Sequence, residues 1–332
     1  MRTPTYLSPS SISKFYTDRK EFYLHYLADE RPPRFPQTQP MSVGSAFDAY
    51  IKNHLVKRLR GTVPPEFEFE TIFEMQVEPH NRDWARTAGK YAFDCYERSG
   101  AVADLMIDLL SASSEPRFEF TVNASVSMEM RVDSIPFLGK PDIYFISKNG
   151  VHMIFDWKVN GFCSKHGASP KAGYIKIRDG WDHSSEKMSR NCNQAHKDAH
   201  LLEVDGITIN VAKPFEEVDL TWADQLSIYA WLMGEAVGAE FVIGIEQLAC
   251  KPGKSNPSIR VASHRGCVSP EYQRGLFDRA NKAWKIIQSG HVFDDLPLSE
   301  SMEKQRVLDD YHKAFVVENV NDVWFNKVTR GI

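Results

Sequence analysis

The stretch that most constrains the fold lies in mid-chain. Gly139-Lys140-Pro141-Asp142 leads into the apolar run Ile143-Tyr144-Phe145-Ile146; Lys148-Asn149-Gly150 follows, and Val151 to Trp157 is apolar again. Two apolar runs around Asn-Gly predict an antiparallel hairpin, because these residues accept the positive φ that tight hairpin turns require. Residues two apart on a strand share a face. Asp156 and Lys158 therefore point one way and Trp157 the other, and the hairpin carries Asp142 to the same end of the sheet. Two carboxylates converging there form a hard-oxygen site suited to Mg²⁺ or Mn²⁺. A lysine beside them can orient a water and balance charge on a pentavalent phosphorane, the minimum equipment for metal-assisted phosphodiester hydrolysis. An acid-x-Lys triplet alone also describes a surface ion pair of little energetic worth. Asp18-Arg19-Lys20 matches it too, within a predicted helix. The hairpin distinguishes the second triplet, since Phe155 and Trp157 require a strand with a buried face.

Around this hairpin the periodicity predicts a core ordered helix, three strands, helix, strand. Residues 8–28 read as a helix, with Ile12, Phe15, Tyr16, Tyr23, Tyr26 and Leu27 at helical spacing and serines at its start. Arg31-Pro32-Pro33-Arg34-Phe35-Pro36 breaks it. A second helix is expected from Ser42 to Gly61, and residues 80–111 read as helical with a break at Ser99-Gly100. Phe118, Phe120 and Val122 alternate, as do Val126, Met128, Met130 and Val132, which is strand behaviour. Thr221 and Asp224 suggest a capping box for a helix reaching Val237. Strands are expected at 241–248 and 258–262, and a helix at 270–289 closed by Gly290.

Several of these pieces, in order, resemble the PD-(D/E)XK nuclease superfamily and its RecB-like and phage exonuclease branch. Pro141-Asp142 followed by Asp156-x-Lys158 looks like the motif that names the superfamily. Gln225-Leu226-Ser227-Ile228-Tyr229 looks like the branch's Q-x-x-x-Y helix motif. Ser10 to Tyr16, followed by Phe22 to Tyr26, resembles its N-terminal helix, and Gly44-Ser45-Ala46-Phe47-Asp48 its G-x-x-x-H helix start, with Asp48 in place of the histidine. Glu119 stands where the branch often has a further acid. The resemblance spans residues 8–229. It implies that Asp142 and Asp156 hold the metal, with Asp48, Glu119 and the Trp157 backbone carbonyl completing the shell. It also implies that Lys158 positions the attacking water and that Gln225 and Tyr229 approach the scissile nucleotide or the carboxylates. The iron–sulfur members carry one Cys after the first helix and three near the C-terminus. Here Thr17-Asp18-Arg19 fills the first region and only Cys250 and Cys267 lie late, so no cluster is expected.

The polar stretch 160–218 reads as an insertion. Within 163–200, Lys165, Lys171, Lys176, Arg178, Lys187, Arg190 and Lys197 outnumber four acids, and Tyr174 and Trp181 could stack on unpaired bases. Lys165, Lys171, Tyr174, Lys176 and Arg178 are the expected nucleic-acid contacts. Cys163-x-x-His166 with Cys192, His196 and His200 offers zinc ligands, but without a standard finger spacing.

Composition sets the outer bounds. The chain has 332 residues, 40 Lys+Arg against 44 Asp+Glu (net charge −4), and 42% hydrophobic residues, which excludes disordered, collagen-like and membrane chains. With five cysteines and no apolar core in Met1 to Tyr6, the expected setting is a bacterial or phage-infected cytoplasm. No P-loop is found, so a helicase or recombinase partner would be a separate chain. The expectation is an α/β chain with a restriction-endonuclease-like core, a mixed central sheet flanked by helices. It is read as one domain over 1–332, with a helical lobe at 1–115, core at 116–159 and 219–262, insertion at 160–218 and a helical region at 263–332. Its expected activity is Mg²⁺- or Mn²⁺-dependent hydrolysis of DNA, from the ends, in recombination, repair or phage DNA processing. The alternatives are a nuclease-like DNA- or protein-binding module without catalysis, and an endonuclease or RNA nuclease on the same core.

Overall fold

The mid-chain hairpin lies within a mixed sheet in a computed structural model, which describes residues 2–33, 35–129, 131, 133–160, 174–178, 200–204, 207–211, 214–251 and 258–317. The strands are β1 (Arg117–Phe118), β2 (Val122–Ser127), β3 (Ser134–Gly139), β4 (Ile143–Ile146), β5 (His152–Asn160), β6 (Tyr174–Arg178), β7 (His200–Val204), β8 (Ile207–Val211), β9 (Val242–Lys251) and β10 (Ser258–Gly266). The six-stranded sheet has the order β1-β4-β5-β9-β10-β6, while β2-β3 and β7-β8 are separate two-stranded ribbons. Its pairings are antiparallel except β5 with β9, which is parallel and sets Phe155 opposite Gly244. A Cβ at Gly244 would lie 2.2 Å from Cε1 of Phe155, so only glycine admits that ring.

Alternation along β4 and β5 divides the core between two sheet faces. Ile143, Phe145, Phe155 and Trp157 pack with Phe47, Ile51 and Leu55 of α3 (Gln39–Arg60), Tyr96 of α5 (Arg82–Arg98) and Leu105 of α6 (Ala101–Leu110). Tyr144 and Ile154 pack on the other face, with Ile243, Ile245 and Leu226 of α8 (Leu220–Leu232). The remaining helices are α1 (Pro9–Thr17), α2 (Arg19–Phe22), α4 (Phe69–Gln76), α7 (Phe215–Val218), α9 (Pro270–Ser289) and α10 (Leu298–Val317). The chain is thus α/β, with helices on both faces of a mixed sheet. Among the described residues no helix is long and apolar enough to cross a membrane.

The expected helix 8–28 breaks at Asp18, which is extended at φ −152° and caps α2 by accepting from the Glu21 amide. Its successor Arg19 is buried; it donates to the carbonyls of Phe15 and Val292 and to Asp295 at 2.7 Å, and stacks 3.5 Å above the Phe15 ring. The Asp18-Arg19-Lys20 triplet is thus a cap followed by a buried ion pair. The break at Ser99-Gly100, the stop at Gly61 and the helix 270–289 are as expected. Alternation over 126–132 does not continue as one strand: β2 ends at Ser127, and β3, which periodicity missed, returns from Ser134. The helix after the insertion is capped by Asp219, two residues before Thr221, and stops at Leu232. Within 160–218 the described residues form β6 at one sheet edge, the ribbon β7-β8 and α7. The chain divides into two compact units, residues 1–33 with 278–332, and 34–277, so the first helices group with the C-terminal segment rather than with the remainder of 1–115.

Candidate active site

Everything the hairpin was expected to bring together lies in the second unit. Asp142 precedes β4 and accepts at Oδ2 from the Trp157 amide of β5, 3.1 Å away. That bond holds it beside Asp156, whose carboxyl is close enough for the two to hydrogen-bond. Asp156 is buried, and its Oδ2 forms an ion pair with Lys158 two residues on but receives no well-oriented hydrogen bond. The Lys158 ammonium also donates to Gln225 Oε1 on α8, 3.0 Å away. Gln225 Nε2 donates to Asp156 Oδ1 at 3.3 Å and to the Tyr229 hydroxyl at 3.1 Å. An ammonium can only donate and a carboxylate only accept, so these neighbours fix which end of the amide faces which. The spacing of four residues along α8 is what lets Gln225 and Tyr229 act together.

Tyr229 also hydrogen-bonds the Lys140 backbone, tying α8 to the segment that carries Asp142. Its ring lies against Gly139, where a Cβ would come within 2.8 Å of Tyr229 Cδ1 and 2.7 Å of Leu232 Cδ1. Glycine at 139 is thus a packing requirement at the base of the site.

On the other side of Asp142 lies a second group of charges. Asp48 and Lys52, one turn apart on α3, form an ion pair at 2.6 Å. Lys52 Nζ also meets Glu119 Oε2 at 2.9 Å and Asp142 Oδ1 at 3.5 Å. Gln76, at the end of α4, donates through Nε2 to Asp48 Oδ2 at 2.9 Å and to Glu119 Oε1 at 3.0 Å. Lys140 pairs with Glu119 Oε1. Glu119 follows β1 with φ +43°, the left-handed region, and its amide donates to the Asp142 carbonyl at 3.0 Å. A non-glycine residue there costs about 1–3 kcal/mol and persists only where its surroundings hold it; here the charges and the bond to Asp142 do so.

The electrostatics follow from this crowding. Burial, then the Asp142 charge, pushes the Asp156 carboxyl up to about 7 in spite of Lys158. Burial likewise raises Asp48 to about 6 against the pull of Lys52. Burial works to raise Asp142 and Glu119 as well, but Lys52 and the donors around them hold both below the usual carboxylate range. Burial would lower Lys52; Asp142, Asp48 and Glu119 together hold it above the usual lysine range. Tyr229 is raised to about 12, chiefly by burial.

Asp142, Asp156, Lys158, Gln225, Tyr229, Asp48 and Glu119 thus form one continuous network. Asp48 and Glu119 are joined to Asp142 through Lys52. Lys52, Gln76 and the ion pair of Lys140 were not anticipated. Lys52 carries a weak sequence signal, four residues after Asp48 on a helix, whereas Gln76 carries none. Lys165 and Lys171 lie outside the described residues, as do Cys163, His166, Cys192 and His196. Tyr174, Lys176 and Arg178 fall on β6, whose backbone alone is described. Among the described residues no group of three or more His, Cys, Asp or Glu side chains is placed to hold a metal ion. The fit to a divalent cation rests on two facing carboxylates, Asp142 and Asp156, one with an oxygen lacking an oriented donor.

No family model and no curated protein matches the chain. A solved structure described as the crystal structure of SSO0001 aligns with it at 10% identity, over 81% of this chain and 84% of that chain, with a TM-score of 0.24.

Proposed function

We propose that this chain is a Mg²⁺- or Mn²⁺-dependent deoxyribonuclease on a restriction-endonuclease-like core, acting from DNA ends. The observation that carries the reading is the contact between Asp142, just before β4, and buried Asp156 of β5, with Lys158 and Gln225 closing the same site. Burial and the neighbouring Asp142 charge raise the proton affinity of Asp156 and create a demand for positive charge, and hard oxygen donors suit a hard divalent ion. Asp142, Asp156 and the main-chain oxygen of Trp157 would hold it. A bound ion would supply Lewis-acid polarisation of the phosphate and acidify a water.

The chain's own residues do the rest. Asp156 Oδ2 and Gln225 Oε1 hold the Lys158 ammonium from two directions, leaving a donor free for the attacking water or a non-bridging phosphate oxygen. Gln225, fixed by Asp156 and Tyr229, prevents that ammonium from collapsing onto both carboxylates. Lys158 then stabilises the charge that grows on the phosphorane from a position set before the substrate arrives. The basic segment 163–200 is the proposed path of the DNA strand, and a helicase or recombinase chain the proposed source of opened ends.

Digestion of end-labelled linear DNA and of covalently closed circles, with Mn²⁺ and with chelator, tests the reading. Metal-dependent shortening of the linear substrate alone is expected. Lys158→Ala should slow it by ~10²–10³. A Lys158→Ala protein that cuts as fast as wild type would refute the assignment.

A further inference from the structure

We infer that the Lys52 ammonium holds the place of a second cation, so that this site takes one divalent ion, between Asp142 and Asp156, and not two. The inference rests on the metal-dependent reading above and specifies its stoichiometry.

Two-ion phosphodiester sites set their cations about 3.5–4 Å apart around a shared ligand. Asp142 is the residue that could be shared, since its two oxygens face different ways. Oδ2 accepts from the Trp157 amide of the strand that carries Asp156, and Oδ1 lies 3.5 Å from Lys52 Nζ. Asp48 and Glu119 would be the outer ligands of a second ion, and the point they share with Asp142 Oδ1 is where Lys52 Nζ sits, at 2.6 and 2.9 Å from the two. An ammonium has three N–H donors, and three carboxylates surround this one. Lys52 is 1% exposed, so its stem and its ammonium are both buried.

Two oxygens on that side carry a second donor. Asp48 Oδ2 accepts from Gln76 as well as Lys52, and Glu119 Oε1 accepts from Gln76 and pairs with Lys140. Asp156 Oδ2 has only its ion pair with Lys158.

Charge agrees with geometry. With all four ionised, as an ion between Asp142 and Asp156 requires, the carboxylates (Asp48, Glu119, Asp142, Asp156) face three ammoniums (Lys52, Lys140, Lys158), an excess of one negative charge. One divalent ion plus one substrate phosphate brings the site to neutrality. A second ion would leave two uncompensated positive charges.

Counting Mn²⁺ bound per full-length chain, by calorimetry and electron paramagnetic resonance without DNA, tests this. Wild type should bind one ion with the spectrum of an isolated Mn²⁺. Lys52→Met keeps the length of the stem and removes the charge; it should bind two ions with a spin-coupled spectrum. Should Lys52→Met be unfolded without metal, Mn²⁺ should refold it, with a folding equilibrium depending on the second power of its concentration. The triple variant Lys52→Met, Asp48→Asn, Glu119→Gln removes the ammonium with its outer acids and should return to one ion. Two ions in wild type would overturn the inference and leave the nuclease reading standing. A single ion in folded Lys52→Met, first-power refolding or no refolding would also overturn it. Binding of no ion by wild type would overturn both.

Discussion

Asp48 and Glu119, on one side of Asp142, are met by nitrogen donors from α3, α4 and the segment after β3; Asp156, on the other side, has Lys158 and the Gln225 amide. Lys52, Gln76 and Lys140 surround the acids of the first side, although burial still raises Asp48 to about 6. Those of the second are left short of positive charge, and Asp156 responds by holding its proton up to about 7. The same residue type, similarly buried, is structural on one side and chemically poised on the other. The difference is whether a buried ammonium shares the space. Clustered carboxylates thus differ in how much buried counter-charge the protein packs beside them.

The largest effect expected from this contrast is on catalysis. Asp156→Asn should reduce hydrolysis by more than the ~10²–10³ expected for Lys158→Ala, because it removes an ion ligand as well as the anchor of that lysine. The same substitution should stabilise the metal-free protein at pH 8. The sign follows from linkage. A carboxyl whose folded pKa is raised keeps its proton in the native state while the unfolded chain releases it, so stability falls as pH rises from the unfolded value near 4 to about 7 and is fully lost above. Denaturant unfolding with chelator at pH 4 and pH 8 checks this. A variant no more stable than wild type at pH 8 would mean that Asp156 is not destabilised by its surroundings.

Next in size is the effect of the lysines on folding. Lys52→Met leaves Asp48, Glu119 and Asp142 facing one another without their shared cation, and breaking a buried pair of this kind costs about 3–5 kcal/mol. Lys158→Met should cost clearly less, because Lys158 is 26% exposed at its side chain and the acid it leaves can keep its proton up to about 7. Urea unfolding of the two metal-free variants makes the comparison. Equal losses would erase the distinction between a structural and a poised half.

The two halves were also unequally legible in the sequence. The poised half is local. Asp142 immediately precedes, and Asp156 and Lys158 lie on, two strands joined by Asn-Gly, and two-residue alternation is enough to put Asp156 and Lys158 on one face and to bring Asp142 to their end of the sheet. Gln225 and Tyr229 share a helix face for an equally local reason. Glu119, Asp48 and Gln76 come from separate elements, and their meeting depends on how α3 and α4 pack, which no short-range period encodes. The Glu119 backbone shows the same limit: Phe118, Phe120 and Val122 alternate as one strand would, yet φ +43° at Glu119 ends β1 there. The Asp18-Arg19-Lys20 triplet shows the converse, a motif match whose residues serve a helix cap and a buried ion pair.

The smallest effect concerns Tyr229, which touches neither half's charges directly. Its hydroxyl accepts from Gln225 Nε2 and meets the Lys140 backbone, so it links the helix that orients Lys158 to the loop that carries Asp142. Tyr229→Phe removes that link and keeps the ring against Gly139. The loss of one such hydrogen bond is worth about 1 kcal/mol, or roughly fivefold in rate if it is expressed wholly in the positioning of Gln225. The fall should appear in kcat with KM little changed, because the hydroxyl lies behind the amide rather than on the substrate side. A Tyr229→Phe enzyme that loses ~10²-fold would instead assign the hydroxyl a place among the reacting groups. It would then move the boundary of the poised half one residue further along α8.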